Sequence, residues 1–248
     1  PAPDLLDGRV ILVTGAGAGV GEAVSRACAS VGATVVLLGR TVSKLEAVYD
    51  RILEAGHPEP AIYPMDLAGA VTHHYEELAE RIQAQLGRLD GIVHCAAALG
   101  TLCPFEQINP EQWAMVMQIN LHAPFELTRA CLPMLRTAAD ASIVFSGSAT
   151  GRRARAYWGS YCVSKFAVEG LAGLIAEENE QGGNLRSNVL NPAAVRTGLR
   201  ASAFPGEDPS LAPSPDDAVA PYLYLLGPDS RGITGQSFDL DIADLPSA

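Results

Sequence analysis

Val10-Ile11-Leu12-Val13-Thr14-Gly15-Ala16-Gly17-Ala18-Gly19-Val20-Gly21 is the stretch that decides the fold. Four apolar residues in a row, with no polar alternation, predict a strand covered on both faces. Glycines at 15, 19 and 21 allow a tight turn and close approach of the backbone to a pyrophosphate. A helix predicted from Gly19 to about Val31 would then offer free N–H groups and its positive end. The plain alternative is a flexible strand–helix turn. Its place between a buried strand and a helix, at the head of a βα series, favours the nucleotide reading.

Working outward, strands are expected at 34–38, 61–65, 91–95, 142–146, 186–190 and 236–240. Helices are expected at 42–55, 70–86, 110–135 (interrupted or bent near Pro124), 157–180 and 215–226. This alternation predicts an α/β fold: a doubly wound parallel sheet of about seven strands with helices on both faces. No linker divides the chain, so one domain over 1–248 is expected, with a cofactor half at about 1–150 and a catalytic part at about 140–248. Residues 193–215, with prolines at 205, 209, 213 and 215, read as a loop or lid over the strand ends, or as an ordinary surface excursion.

Composition bounds the rest. The 248 residues are 48% apolar and 18% charged, which excludes a disordered or fibrous chain. A net charge of −11 argues against nucleic-acid binding. No run is apolar and long enough to span a membrane, and the first residues lack the features of a signal peptide. Five irregularly spaced cysteines (28, 95, 103, 131, 162) fit free thiols in a reducing cytoplasm. No metal-ligand pattern is present. Fifteen of the seventeen basic residues are arginine, which leaves two lysines. Lys44 has only a surface-helix explanation. Lys165 has another.

Tyr161 and Lys165 stand at i and i+4, on one face of a predicted helix. Phenols ionise near pH ~10. A nearby ammonium favours the phenolate, so the pair makes a plausible acid–base device for interconverting an alcohol and a carbonyl. Ser148, just past the fifth strand, could bond the developing alkoxide. At the other end of the cleft, Arg40 follows the second strand where an NAD enzyme usually places a carboxylate. A guanidinium there suits a 2′-phosphate, which favours NADP(H) with NAD(H) possible. The alternative for Arg40 is a solvated helix-start residue, and Ala18 supplies no second cation. Asp66 reads as an acceptor for adenine, or as a turn residue.

With these residues together, the chain resembles the short-chain dehydrogenase/reductase family over nearly its whole length. The matching elements are Thr14–Gly21 as TGxxxGxG, Asp66, Asn120, Ser148, the Tyr161–Lys165 pair, and Asn191-Pro192. The resemblance implies a Rossmann-type sheet and hydride transfer between NAD(P)(H) and a carbonyl or secondary alcohol, with Tyr161 as acid–base catalyst. It implies that Lys165 lowers the tyrosine pKa and bonds the nicotinamide ribose, that Ser148 holds the substrate oxygen, and that Asn120 supports a water-linked proton relay. The cofactor would meet Gly15, Ala18, Gly19, Val20, Gly21, Arg40, Asp66, Leu67, Ala96, Tyr161, Lys165, Pro192, Val195 and Thr197. A homodimer or homotetramer is implied as well. The alternative is a catalytically silent nucleotide sensor on the same fold, which would not need Ser148, Tyr161 and Lys165 together.

Two departures from the family pattern stand out. Asn-Asn-Ala-Gly becomes His94-Cys95-Ala96-Ala97, and Pro-Gly becomes Pro192-Ala193. Both replace a glycine where backbone and cofactor come close. The cluster Arg152, Arg153 and Arg155 could attract an anionic substrate, although a solvated loop or a subunit contact is preferred. The tail carboxylates Asp239, Asp241 and Asp244 are assigned no chemistry. The substrate itself is not legible, because no motif fixes the geometry of the loops.

Overall fold

In the computed structural model, residues 2–240 are described; Asp241 and Asp244 lie outside them. Seven parallel strands form one sheet. They are β1 (Val10–Thr14), β2 (Thr34–Gly39), β3 (Ala61–Pro64), β4 (Gly91–His94), β5 (Ala141–Ser146), β6 (Leu185–Asn191) and β7 (Ser237–Asp239). Their order is β3-β2-β1-β4-β5-β6-β7. The order reverses between β1 and β4, and the carboxyl ends of those two strands open the crevice where such sheets bind ligands. No helix among the described residues is long and apolar enough to cross a membrane.

The unbroken apolar run of β1 is explained by its two neighbours. Val10 and Leu12 belong to one core cluster, Ile11 and Val13 to the other, because successive side chains point to opposite faces. The first face is covered by α3 (Thr72–Leu86), α5 (Ala123–Thr137) and α6 (Gly159–Asn179). The second is covered by α1 (Gly19–Ser30), α2 (Val42–Glu54) and α8 (Val219–Leu226). Helical spacing selects the buried stripes. In α3 they are Tyr75, Leu78, Ala79 and Ile82, one face of a 3.6-residue period. Gly87, in the left-handed region at φ 71°, ends that helix.

Three expectations are corrected. The long helix from Pro110 is interrupted near Pro124, as expected, but not by the proline, which sits harmlessly in the first turn of α5. Instead α4 (Pro110–Met117) runs into one π-helical turn, Gln118–His122, before α5 begins. The proline-rich stretch 193–215 is not all loop: it contains α7 (Gly198–Ala203) and a 3₁₀ turn at Pro209–Leu211. The last predicted helix opens with a 3₁₀ turn, Pro215–Ala218, and only α8 is α-helical.

At the N-terminal ends of the strands lies an ionic clasp. Asp140, just before β5, bonds Arg9 and Arg186 at 2.7 Å each, with Arg231 at 3.3 Å. Arg9 also donates to the Leu226 carbonyl, and Arg186 to those of Leu225 and Gly227. The guanidiniums thereby satisfy the carbonyls that the end of α8 leaves open.

Candidate active site

A cleft of about 690 Å³ lies at the carboxyl ends of the strands. Its nucleotide end is formed by the glycine turn. Gly15 takes φ 69°, and a Cβ there would lie 3.0 Å from the Ala96 backbone. At Gly21 a Cβ would lie 2.3 Å from the Gly15 carbonyl oxygen, so no other residue fits without moving the turn. Helix α1 has no side-chain cap at Ala18, which leaves its first N–H groups available.

Past β2, Arg40, Thr41 and Lys44 line the same cleft. Sequence reasoning dismissed Lys44 as a surface residue. The signal was its place one helical turn after Arg40, at the start of a helix that begins on the site side of the sheet. A Cβ on Gly17 would meet the Lys44 Cβ at 3.0 Å, so α2 packs directly on the glycine turn. The first turn of α2 has neither a capping side chain nor an acidic residue. Among the described residues, neither Arg40 nor Lys44 forms an ion pair, while the α1 carboxylate Glu22 is taken by Arg26 and Arg51. Asp66 lines the cleft, and its Oδ1 accepts from the Ala68 N–H at 3.1 Å. It is thus a turn residue with one carboxylate oxygen to spare.

At the chemical end, β5 delivers Ser146 and Ser148, and α6 delivers Tyr161 and Lys165 one turn apart. All four line the cleft. The Ser148 hydroxyl lies 3.0 Å from that of Thr150 and accepts from the Thr150 N–H. Lys165 is 4% exposed. Its ammonium donates to the Ser146 carbonyl at 2.6 Å and lies 5.7 Å from the Tyr161 ring centre. Burial pulls its pKa down to about 8 against the opposing charges of Cys95 and Glu169. Burial pushes the Tyr161 phenol up, and a hydrogen bond with Ser148 opposes the rise. Without ligand, the phenol is therefore held in its protonated form. This differs from the lowering expected of Lys165, because burial dominates.

Asn120 is the one expected catalytic residue outside the cleft wall. It lies in the π-helical turn and is 2% exposed. Its amide exchanges two hydrogen bonds with the backbone of Ala98, at 2.8 and 2.9 Å, and donates to the Ser164 hydroxyl at 3.0 Å. The side chain ties the segment after β4 to α6.

The departures from the family pattern have local compensations. The Thr14 hydroxyl accepts from the Ala96 N–H at 3.1 Å, and the Ser146 hydroxyl donates to the Cys95 thiol. His94 stacks on Phe145 with centres 4.7 Å apart and shares a hydrogen bond with Thr128. Burial, reinforced by the Lys165 charge, holds its pKa down to about 3, so it packs as neutral imidazole. Ala193 keeps the left-handed backbone, φ 58°, without the glycine that would relax it. Pro192, Val195 and Thr197 all line the cleft. The Thr197 hydroxyl caps α7 by accepting from the Arg200 N–H, which leaves its own hydrogen free to donate.

The arginine cluster divides. Arg152 is spent on Glu169, Asp239 and the β7 backbone. Arg155 lies over two aromatic rings, Trp158 and Phe204, neither of which sequence reasoning singled out. All five cysteines are free thiols.

Comparison with known proteins agrees with this geometry. A family model described as short chain dehydrogenase matches residues 9–208. The oxidoreductase YciK of Escherichia coli K12 is 45% identical over 239 residues, 96% of this chain and 94% of that protein. A solved structure from Pseudomonas syringae, described as a short chain dehydrogenase, superposes with a TM-score of 0.94 at 50% identity, covering 96% of this chain and 97% of its own. Another from Shigella flexneri 2a, complexed with NADP, gives 0.93 at 46% identity, covering 96% and 98%.

Proposed function

The chain belongs to the short-chain dehydrogenase family and is an NAD(P)-dependent oxidoreductase, and from that premise we propose that it reduces a carbonyl compound with NADPH, with Tyr161 as the acid. The observation that carries the reading is the meeting of Ser148, Tyr161 and Lys165 in one cleft with the glycine turn. The residues present fit the cofactor. Gly15 and Gly21 leave no room for side chains, α1 and α2 offer uncapped N–H groups, and Arg40 and Lys44 are cations without carboxylate partners. When bound, the nicotinamide supplies the hydride donor or acceptor.

The protein's own work is proton transfer and orientation. Burial keeps the Tyr161 phenol protonated, the form that gives a proton to a carbonyl oxygen. Ser148, oriented by Thr150, offers its hydroxyl to the same oxygen. Lys165 spends one N–H on the Ser146 carbonyl and keeps two donors and its charge, which favours the phenolate that remains after proton transfer. The Ser146 contact fixes the ammonium, so Lys165 both orients and charges the site.

Arg40 and Lys44 beside the α2 N-terminus suit a 2′-phosphate, and the NADP complex of the Shigella neighbour supports the same preference. Exposed Phe125 on α5 with Val163, Phe166 and Leu174 on α6 supports pairing of subunits through these helices. Free cysteines support a cytoplasmic location.

The test is NADPH oxidation with a panel of aldehydes and ketones. Tyr161→Phe should lose about 10³-fold in kcat while NADPH binding stays within about twofold by calorimetry. The double variant Arg40→Asp, Lys44→Glu should weaken NADPH about 100-fold and leave NADH little changed. No turnover together with no nicotinamide binding would sink the reading.

A further inference from the structure

Around the Tyr161 phenol the cleft wall is a small apolar cluster separate from the two cores of the sheet. It is built on Trp158, Tyr161 and Cys162, with Leu199 and Phe204 packed against them. The rings follow one another outward from the reacting group. Trp158 is centred 5.7 Å from Tyr161 at 58°, and Phe204 5.9 Å from Trp158 at 48°. Trp158 and Phe204 both line the cleft.

The backbone is strained at this wall. Tyr157, immediately before Trp158, takes φ 73° with its side chain 63% exposed, a costly conformation for a bulky residue. Its carbonyl is anchored by the Cys103 N–H at 3.1 Å. The exposed Tyr157 side chain gains little from this geometry, whereas the next residue, Trp158, is turned inward to 9% exposure.

The cations here serve the rings. Arg155 lies 5.1 Å from the Trp158 ring centre and 5.4 Å from that of Phe204, and Arg200 lies 5.0 Å from Phe204. These are cation–π distances. Arg155 does not line the cleft. Arg200 does, but its charge is matched by Glu207, so this wall presents no unmatched cation to an anionic substrate.

We infer that the substrates are flat, uncharged aromatic carbonyl compounds, laid on the Trp158–Phe204 shelf with the carbonyl at Tyr161 and Ser148. This rests on the oxidoreductase reading above. Tilted rings like these meet a substrate by offset or edge-to-face contact, which rewards a planar π-face over a puckered ring of similar size, and Arg200, the cation of this wall that lines the cleft, is already paired with Glu207. Trp158 and Phe204 are then the residues that set specificity, reached from two different elements.

The experiment is steady-state kinetics with NADPH on three aldehydes: benzaldehyde, cyclohexanecarbaldehyde and 4-carboxybenzaldehyde. Benzaldehyde should exceed each of the others in kcat/KM by about tenfold. Trp158→Ala and, independently, Phe204→Ala should raise its KM about tenfold with kcat nearly kept. Trp158→Phe should restore most of the loss, and NADPH affinity should not move in any of the variants. A merely structural role for Trp158 would shift NADPH affinity and all three aldehydes together, and would overturn the inference. So would a preference for the carboxylated aldehyde, which would mean that the arginines read the substrate, or equal use of the cyclohexyl compound. If none of the three is reduced although NADPH binds, the substrate assignment falls alone. If NADPH does not bind either, the oxidoreductase reading falls with it.

Discussion

At the N-terminal ends of β1, β5 and β6, Arg9, Asp140 and Arg186 bond to one another and to the end of α8. At the opposite edge of the sheet, past the C-terminal ends of β1, β2 and β6, donors are left unspent: the first N–H groups of α1 and α2, Arg40, Lys44 and the Thr197 hydroxyl. Both ends bury charge. Asp140 and Arg186 are 7% and 3% exposed, and the clasp gathers Arg9, Arg186 and Arg231 on the one carboxylate of Asp140. Lys165, as deeply buried, hydrogen-bonds a carbonyl rather than a carboxylate; burial lowers the pKa of Arg186 and of Lys165 alike, the latter to about 8. One edge holds the sheet together. The other keeps its polar groups available, as a site needs when a ligand is to complete them.

The strongest way to break this contrast is Asp140→Ala. Removing the carboxylate leaves Arg9 and Arg186 with uncompensated charge, and breaking a buried pair costs about 3–5 kcal/mol. Urea unfolding should show the loss, while kcat/KM measured well below the transition stays at the parental value. A parallel loss of activity in the folded variant would mean that the two ends are not independent.

Lys165→Arg works from the other side. A guanidinium keeps the charge but not the compact, rotatable ammonium, so kcat should fall about 100-fold with little change in urea stability. The parent should also show opposing pH trends. The free protein loses the Lys165 proton above pH about 8, so kcat/KM for NADPH should fall there. The folded pKa lies below the ordinary 10.5, so between these values the unfolded chain binds the extra proton. The contribution of Lys165 to stability therefore rises with pH across that window. The arginine variant should show neither trend, and an unchanged alkaline limb would assign that limb to another group.

The smallest effect is expected at Ala193. Left-handed backbone costs a non-glycine residue about 1–2 kcal/mol, and glycine returns part of that gain as unfolded-chain entropy. Ala193→Gly should therefore raise stability by up to about 1 kcal/mol, roughly 2–4 °C in Tm. A lower Tm would show that the strain is compensated locally.

Legibility in the sequence followed the same division. β1, β2, β4 and β5 could be read because each is built on an apolar run bounded by turns, and Tyr161 and Lys165 because a helix fixes where i and i+4 point. Helix α7 could not, since none of its six residues is fully buried and so it leaves no periodic signature. The aromatic shelf pairs the start of α6 with the end of α7, a contact no local pattern encodes. Lys44 is an exposed residue of a surface helix, as read, and only the tertiary arrangement makes that exposed side the cleft. The strain at Ala193 shows as a departure from a family pattern, but its φ belongs to the folded chain alone.

The π-helical turn at Gln118–His122 has one more consequence. Such a turn is an α-helix carrying one residue too many, and each helical residue advances the chain by about 100°. The wide turn absorbs that extra step, so deleting one residue there would regularise the hydrogen bonding and leave the helix downstream on its present face. Leu127, Cys131 and Leu135 would stay buried, and the loss would fall on the turn itself, where Asn120 holds Ala98. A substitution in this segment is a matter of one side chain, whereas a one-codon deletion would cost the tie between the segment after β4 and α6 and leave the rest of the fold standing.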